Sequence, residues 1–309
     1  MSPDKRAALI AALALAVASC GTGEGAESTT TESPTSTGPE TTTTQAPATT
    51  TTSAASSTTA SVGTIGRVVY LLLEEVGNGT GGPFLVPVYR QAPASGDANM
   101  LAVELLLQGP TADEIAGLPA MHTAIPEGTT LLGLRVDSGV ATVDLSGEFD
   151  DGGGSASMFA RIAQVVFTVT RAAQVDEVAF FIDGEPVTVF SSEGIELDRP
   201  QTQTDYYDFL PAIFVESPAW GEPVTSPIQV KGLSNVFEAV SQIMLTDDDG
   251  LALFEETVMA SCGTGCWGAW EVSVPYTVER DQVGALIVWE YSAKDGSRIN
   301  IREYPILLR

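Results

Sequence analysis

Apolar and polar positions divide the chain into three regimes. An unbroken apolar run from Ala7 to Ala18 stands near the start. From Gly21 to Ser61 no Leu, Ile, Phe, Tyr or Trp occurs. Beyond Arg67 the pattern becomes that of a folded protein, and it changes character near residue 200. Val68 to Leu73 and Phe84 to Tyr89 read as buried strands. Between them lies Gly77-Asn78-Gly79-Thr80-Gly81-Gly82, which has the look of a phosphate loop. A phosphate loop must open a helix whose N–H groups face the anion. Here Pro83 and a strand follow, so the segment reads as a plain connection. Asp97 to Gln108 predicts a helix, with Asp97 as N-cap, Leu101, Leu105 and Gln108 at helical spacing, and Gly109-Pro110 as the stop. Thr111 and Glu114 form a capping box for a short second helical turn.

Leu131 to Asp137 and Val140 to Leu145 predict a hairpin about Ser138-Gly139. Ser155 to Ala173 predicts an amphipathic helix that buries Phe159, Ile162, Val166 and Val169 on one face. Val175 to Ile182 is a strand, and Asp183-Gly184 turns it into Val187 to Phe190. The order β-β-α-β-β-α-β-β predicts an α+β domain over residues 67–199, a mixed or antiparallel sheet with helices on one face. Residues 206–309 change to short strands between turns: Ile213 to Glu216, Ile228 to Val230, Ile243 to Leu245, Leu251 to Met259, Trp270 to Tyr276, Ala285 to Tyr291 and Ile299 to Tyr304. That pattern predicts an all-β sandwich.

Composition narrows the function. The 309 residues carry 14 Lys+Arg against 40 Asp+Glu, a net charge of −26, with a single His. Such a surface opposes the phosphate backbone of nucleic acid, and it also opposes docking on anionic lipid by charge alone. The apolar fraction of 44% still supports sizeable cores. With one His, no His-rich metal site is possible, and every Ser–His or Cys–His mechanism depends on His122.

The first 66 residues read as export and tether. Lys5 and Arg6 precede the apolar run, whose length falls short of the roughly 20 residues needed to span a bilayer. The run is therefore a signal segment over residues 1–19. It ends in Val17-Ala18-Ser19-Cys20-Gly21, which resembles the bacterial lipobox and makes Cys20 the expected lipid attachment site. A diacyl anchor there would hold durably. Residues 20–66, rich in Thr, Ser and Pro, lack the apolar groups that offset ordering entropy, so they read as a disordered tether. Its low-complexity part spans roughly 125 Å in polyproline II form and about 35 Å as a coil. The composition is also that of O-glycosylated stalks.

Candidate chemistry is sparse. Asp150-Asp151 precede the helix at Ser155 and are placed to complement its dipole. Asp247-Asp248-Asp249 lack the spacing of a Ca²⁺ loop and read as a solvated turn. With 40 acidic residues, some carboxylate pair will always stand at a glycosidase separation, so no such pair is assigned. Tyr206, Tyr207, Phe209, Trp220, Trp267 and Trp270 are either sandwich core or a binding surface. Cys262-Gly263-Thr264-Gly265-Cys266, read as the tip of a hairpin, leaves an even pair once Cys20 is lipidated. A disulfide is expected there, worth about 2 kcal/mol on the chain-entropy account. No catalytic residue, cofactor or metal is assigned.

Leu106-Leu107-Gln108-Gly109-Pro110-Thr111 with Glu114, then Ile125-Pro126-Glu127-Gly128-Thr129, resembles the GerMN domain of sporulation and spore-germination proteins. Val143-Asp144-Leu145-Ser146, Gln164-Val165-Val166-Phe167-Thr168-Val169 and Phe181-Ile182-Asp183-Gly184 continue the likeness in order. Ser217-Pro218, Gly232, Val236-Phe237-Glu238-Ala239 and Ser292-Ala293-Lys294-Asp295-Gly296 are similar to the immunoglobulin-like domain of bacterial spore germination. These resemblances imply no catalytic residues. They imply an extracytoplasmic binding or scaffolding role around sporulation, germination or envelope assembly, with envelope proteins or cell-wall polymer as partners and the membrane reached through the lipid. The competing expectation is a wall hydrolase working through carboxylates; a solute-binding lipoprotein is weaker, since the doubly wound lobes it needs are absent.

Overall fold

The computed structural model describes residues 63–74, 82–117 and 119–309. The signal segment, Cys20, the tether and most of the Gly77–Gly82 loop lie outside the described residues. β1 (Thr64–Leu73) and β2 (Phe84–Pro93) form an antiparallel ladder along their full length, from Thr64↔Pro93 to Leu73↔Phe84. Both are longer than their apolar runs, because the register continues through Gly66↔Gln91 and Arg67↔Arg90. α1 (Ala98–Leu107) starts where the Asp97 carboxylate accepts from the N–H groups of Asn99 and Met100. α2 (Ala112–Ala116) starts on the Thr111–Glu114 capping box, and Glu114 also binds Arg90 in a two-pronged pair at 2.7 Å. β3 (Met121–His122) adds to β1 only at Leu72 and Leu73.

β4 (Leu131–Asp137) and β5 (Val140–Leu145) form the hairpin, with Ser138 at φ 53° and Gly139 at φ 85° in its turn. Two successive positive φ values match the right-handed twist of the flanking strands. α3 (Ser155–Val169) then crosses to β6 (Glu177–Ile182), which lies parallel to β5. Parallel neighbours require such a crossover. β7 (Glu185–Pro186) follows the Asp183-Gly184 turn, and β8 (Val189–Phe190) pairs with β9 (Ile195–Glu196). The single expected sheet is three: β2-β1-β3, β4-β5-β6-β7 and the small pair β8-β9. The strong hairpin and the parallel crossover each satisfy their own ladders, and α3 joins the sheets by packing.

Eleven of the fifteen residues of α3 are buried, so it is enclosed on nearly all sides rather than along one stripe. Phe159, expected on the buried face, is 40% exposed. It opens the second turn between buried Met158 and Ala160, on the narrow face that stays exposed with Ser155 and Ala156.

β10 (Ile213–Ser217), β11 (Pro223–Val224), β12 (Ile228–Ser234), β13 (Val240–Thr246), β14 (Ala252–Met259), β15 (Gly268–Val274), β16 (Gln282–Tyr291) and β17 (Arg298–Leu308) build the second domain. They form two sheets, β10-β12-β15 and β11-β17-β16-β13-β14. Cys262 and Cys266 are joined by a disulfide. Their loop is not a hairpin tip, because β14 pairs with β13 whereas β15 pairs with β12. The chain changes sheets there.

Between the domains, the segment Gln203–Phe209 forms a 3-10 turn held by Asp205. Its carboxylate accepts from Arg199 at 2.6 Å and from the Thr202 N–H at 2.8 Å. These donors hold its pKa at about 2, below the ordinary 3.8. A depressed carboxylate pKa stabilises the fold fully at neutral pH, and the contribution fades as pH falls from about 4 to about 2. Asp205→Asn is therefore expected to lower Tm by a few degrees at pH 7 and to match the unmodified chain at pH 2. Thermal scans at the two pH values check this, and an equal deficit at both would refute it.

The domains share one core. Phe214 on β10 meets Tyr70 on β1 at 6.4 Å between ring centroids and Phe167 on α3 at 6.3 Å, while Tyr70 and Phe167 stand 5.3 Å apart. Trp220 pairs with the outer edge of β2, donating to the Pro87 carbonyl and accepting from the Tyr89 N–H. Arg171 binds Glu216 at 2.9 Å, and the Arg302 guanidinium lies 4.8 Å over the Phe84 ring. Burial pushes the Tyr70 phenol up in pKa, so it stays neutral, with Arg171 beside its hydroxyl.

Candidate functional site

The site grows out of an unfinished strand edge. Pro87 and Tyr89 of β2 turn their backbone groups outward to Trp220, and their register partners Tyr70 and Val68 therefore turn theirs away from β2. At Leu72 that second edge meets β3. At Tyr70, α3 stands in for a strand: the Tyr70 N–H donates to Thr168 Oγ1 at 3.1 Å, and its carbonyl accepts from Gln164 Nε2 at 2.9 Å. Gln164 Oε1 in turn accepts from the Ala124 N–H at 2.8 Å and the Thr123 hydroxyl at 3.2 Å, so this fully buried amide is satisfied on both ends.

One step further the substitution stops. Next along the same stripe stands Arg171, which turns to Glu216. Beside Gly66, Arg67 and Val68 a cleft of about 330 Å³ opens, walled by Ala98, Asn99 and Ala102 of α1 and by Thr168, Arg171 and Ala172. Glu222 also lines it, its carboxylate accepting from the Ala219 N–H at 2.8 Å. Arg67 donates from Nη1 to the Gly66 carbonyl at 2.9 Å, while its buried Nε has no hydrogen-bond partner among the described residues. Its register partner Arg90 is paired with Glu114, and among the described residues Arg67 makes no ion pair.

A second cleft, of about 380 Å³, gathers His122, Ser157 and Asp208 with Leu72, Ala160 and Phe209. The three polar residues share it without forming a relay. His122 Nδ1 lies 3.5 Å from Glu74 Oε1 and makes no hydrogen bond, and Ser157 Oγ faces Arg161 at 3.5 Å. A nucleophile and base within hydrogen-bond reach are the first requirement for covalent catalysis.

Of the remaining sequence candidates, Asp247 caps its own turn, accepting from the N–H groups of Asp249 and Leu251, and Asp248 pairs with Arg280. Asp150 lies beside Arg161, and burial raises its pKa. Neither Asp150 nor Asp151 caps α3, whose N-cap is Gly154. Trp270 and Tyr206 are buried, whereas Tyr207 and Trp267 meet edge to face at 5.5 Å, partly buried against the core. Among the described residues no group of three His, Cys, Asp or Glu is placed to hold a metal ion. The open edge and Arg67 were missed in the sequence. The available signal was the polar series Arg161, Gln164 and Thr168, spaced 3 and 4 along the buried part of α3 and continued by Arg171 just past its end.

Residues 68–188 match the family described as sporulation and spore germination, and residues 212–297 match the immunoglobulin-like domain of bacterial spore germination. The chain is a GerMN-type protein with a germination immunoglobulin-like domain. The GerMN match runs from within β1 to β7 and includes α3, and the second match covers β10 to β16 in full. Neither family description names a catalytic activity. No curated protein matches the chain. Among solved structures, the tandem GerMN domains of the sporulation protein GerM from Bacillus subtilis share 17% identity at a TM-score of 0.39, covering 70% of this chain and 63% of that one. The first GerMN domain of the same protein shares 19% identity at a TM-score of 0.35, covering 46% of this chain and 99% of that one. The open cleft thus belongs to the GerMN domain, with Glu222 of the immunoglobulin-like domain at its rim.

Proposed function

We propose that this chain is a non-enzymatic lipoprotein, anchored through Cys20 at the outer face of a Gram-positive membrane. There it binds or scaffolds an envelope protein or cell-wall polymer in a sporulation- or germination-type assembly. The observation that carries the reading is the joint between the two germination-family domains. The Tyr70, Phe167 and Phe214 rings and the Trp220 bridge make them one body, suited to presenting a fixed surface rather than closing over a substrate. No helix among the described residues is long and apolar enough to cross a membrane. On this reading a diacyl chain at Cys20 supplies the attachment, and the tether lifts the body into the wall.

Cell fractionation tests the anchor and wall turnover tests the chemistry. Cys20→Ala is expected to move the protein from the membrane to the soluble fraction. The purified chain is expected to release no fragments from peptidoglycan. Continued membrane association of the variant, or fragment release that one Asp or Glu substitution abolishes, would overturn the proposal.

A further inference from the structure

The open edge of β1 and the unpaired arginine beside it have a common use, one that rests on the binding role proposed for this chain. Val68 directs its N–H and carbonyl to the same side as Tyr70 and Leu72. β3 serves that side at Leu72, and Gln164 and Thr168 serve it at Tyr70. Among the described residues no partner serves it at Val68. Strand edges left in this state pair readily with another extended chain. Most proteins shield them, here by α3 up to Thr168, and the shield ends at the cleft.

The walls fit an extended chain. Ala98, Ala102 and Ala172 contribute only methyl groups, leaving a trough beside the strand. An added strand would run about 4.8 Å from β1, where β-augmentation places its backbone hydrogen bonds. Gly66 keeps that end of β1 thin, because the Tyr89 ring lies directly across the position a Cβ would take.

Charge selects the occupant. The chain bears −26 overall, yet this trough holds Arg67 and Arg171 together. Arg171 is paired with Glu216, and Glu222, which also lines the cleft and keeps its charge, accepts from the Ala219 N–H. Arg67 makes no ion pair among the described residues; its Nη1 is held by the Gly66 carbonyl and its Nε is buried without a partner. A guanidinium presents a rigid fork that matches a carboxylate in two-pronged fashion.

We propose that the cleft receives an extended acidic peptide segment of a partner protein, which pairs with Val68 as an added strand and sets a carboxylate on Arg67.

The probe is a fluorescein-labelled hexapeptide of alternating Val and Glu, with the alternating Val and Lys hexapeptide as counter-probe, against the full-length chain in detergent. Fluorescence anisotropy is expected to show binding of the acidic peptide only. Arg67→Ala should weaken it by about tenfold or more, and Arg67→Lys should restore part of the loss. Ala98→Phe, at an exposed position on the cleft wall, should block binding without touching the core. Hydrogen exchange should show the Val68 amide slowing when the acidic peptide is added. Equal binding of the lysine peptide, an affinity indifferent to Arg67 and Ala98, or no binding at all would overturn the proposal. So would a Val68 amide already slow before any peptide is added, which would mean that the chain's own residues fill the cleft. These outcomes leave the anchor and turnover tests untouched, so the two readings fail separately.

Discussion

Phe214→Ala is expected to destabilise the whole folded body by about 3–5 kcal/mol, the usual range for emptying a buried aromatic site. Phe214 is 1% exposed and is the immunoglobulin-like domain's share of a three-ring cluster with Tyr70 and Phe167. Those two partners belong to β1 and α3, the centre of the GerMN core. Two effects add: apolar area returns to water, and the cavity falls where neither domain can collapse without moving the other. For a body of this size such a loss lowers Tm by about 6–20 °C. The intact chain should melt in one transition, because Trp220, Arg171 and Phe214 couple the domains. Val283→Ala, at a position 59% exposed, is the control and should change stability by less than about 0.5 kcal/mol. Calorimetry with two resolved transitions, only one of them moved by Phe214→Ala, would show that the domains are independent.

Local chemistry was the legible part of this fold. The Asp97 cap, the Thr111–Glu114 box, the Ser138-Gly139 and Asp183-Gly184 turns and the α3 helix all depend on residues within a few positions of one another. What escaped is long-range. Apolar periodicity ends β1 at Val68, since Gly66 and Arg67 carry no strand signal; the β2 ladder extends the strand to Thr64. The Cys262 loop reads as a hairpin because it is short and flanked by strands, and no local feature reveals that those strands belong to different sheets. Phe214 looks like an ordinary core residue of its own sandwich, so its role across the joint is invisible along the chain. The cleft is hardest of all, as it depends on Arg67 and Arg171 approaching from opposite ends of the GerMN domain. Yet α3 gave a warning. Three polar side chains on a helix otherwise rich in buried Val, Ile and Phe must find partners, because buried polar groups are paired. Gln164 and Thr168 find the edge of β1, and Arg161 finds a loop.

Arg161 carries the second large expectation. It is 2% exposed, and its guanidinium donates to the carbonyls of Phe149 at 2.6 Å, Asp151 at 3.0 Å and Gly152 at 3.0 Å. These carbonyls belong to the segment that delivers the chain into α3, which no side chain caps. Gly152 and Gly153 take positive φ there, at 58° and 87°, so the loop has little stiffness of its own. Its shape is set by the arginine reaching back from the second turn of the helix. Burial lowers the arginine's pKa, while the neighbouring Asp150 and Asp151 favour its charged form. Arg161→Ala removes every one of these donors and strands three carbonyls, and is expected to cost about 3–5 kcal/mol. Arg161→Lys should recover only part of the loss, since one ammonium cannot fork to three carbonyls. Urea titration should show the midpoint falling with the slope unchanged. The pKa of Asp150, already raised by burial, should rise further once the arginine that opposes that rise is gone. A loss under about 1 kcal/mol, or an Asp150 titration that does not move, would mean that the loop holds its shape without the clasp.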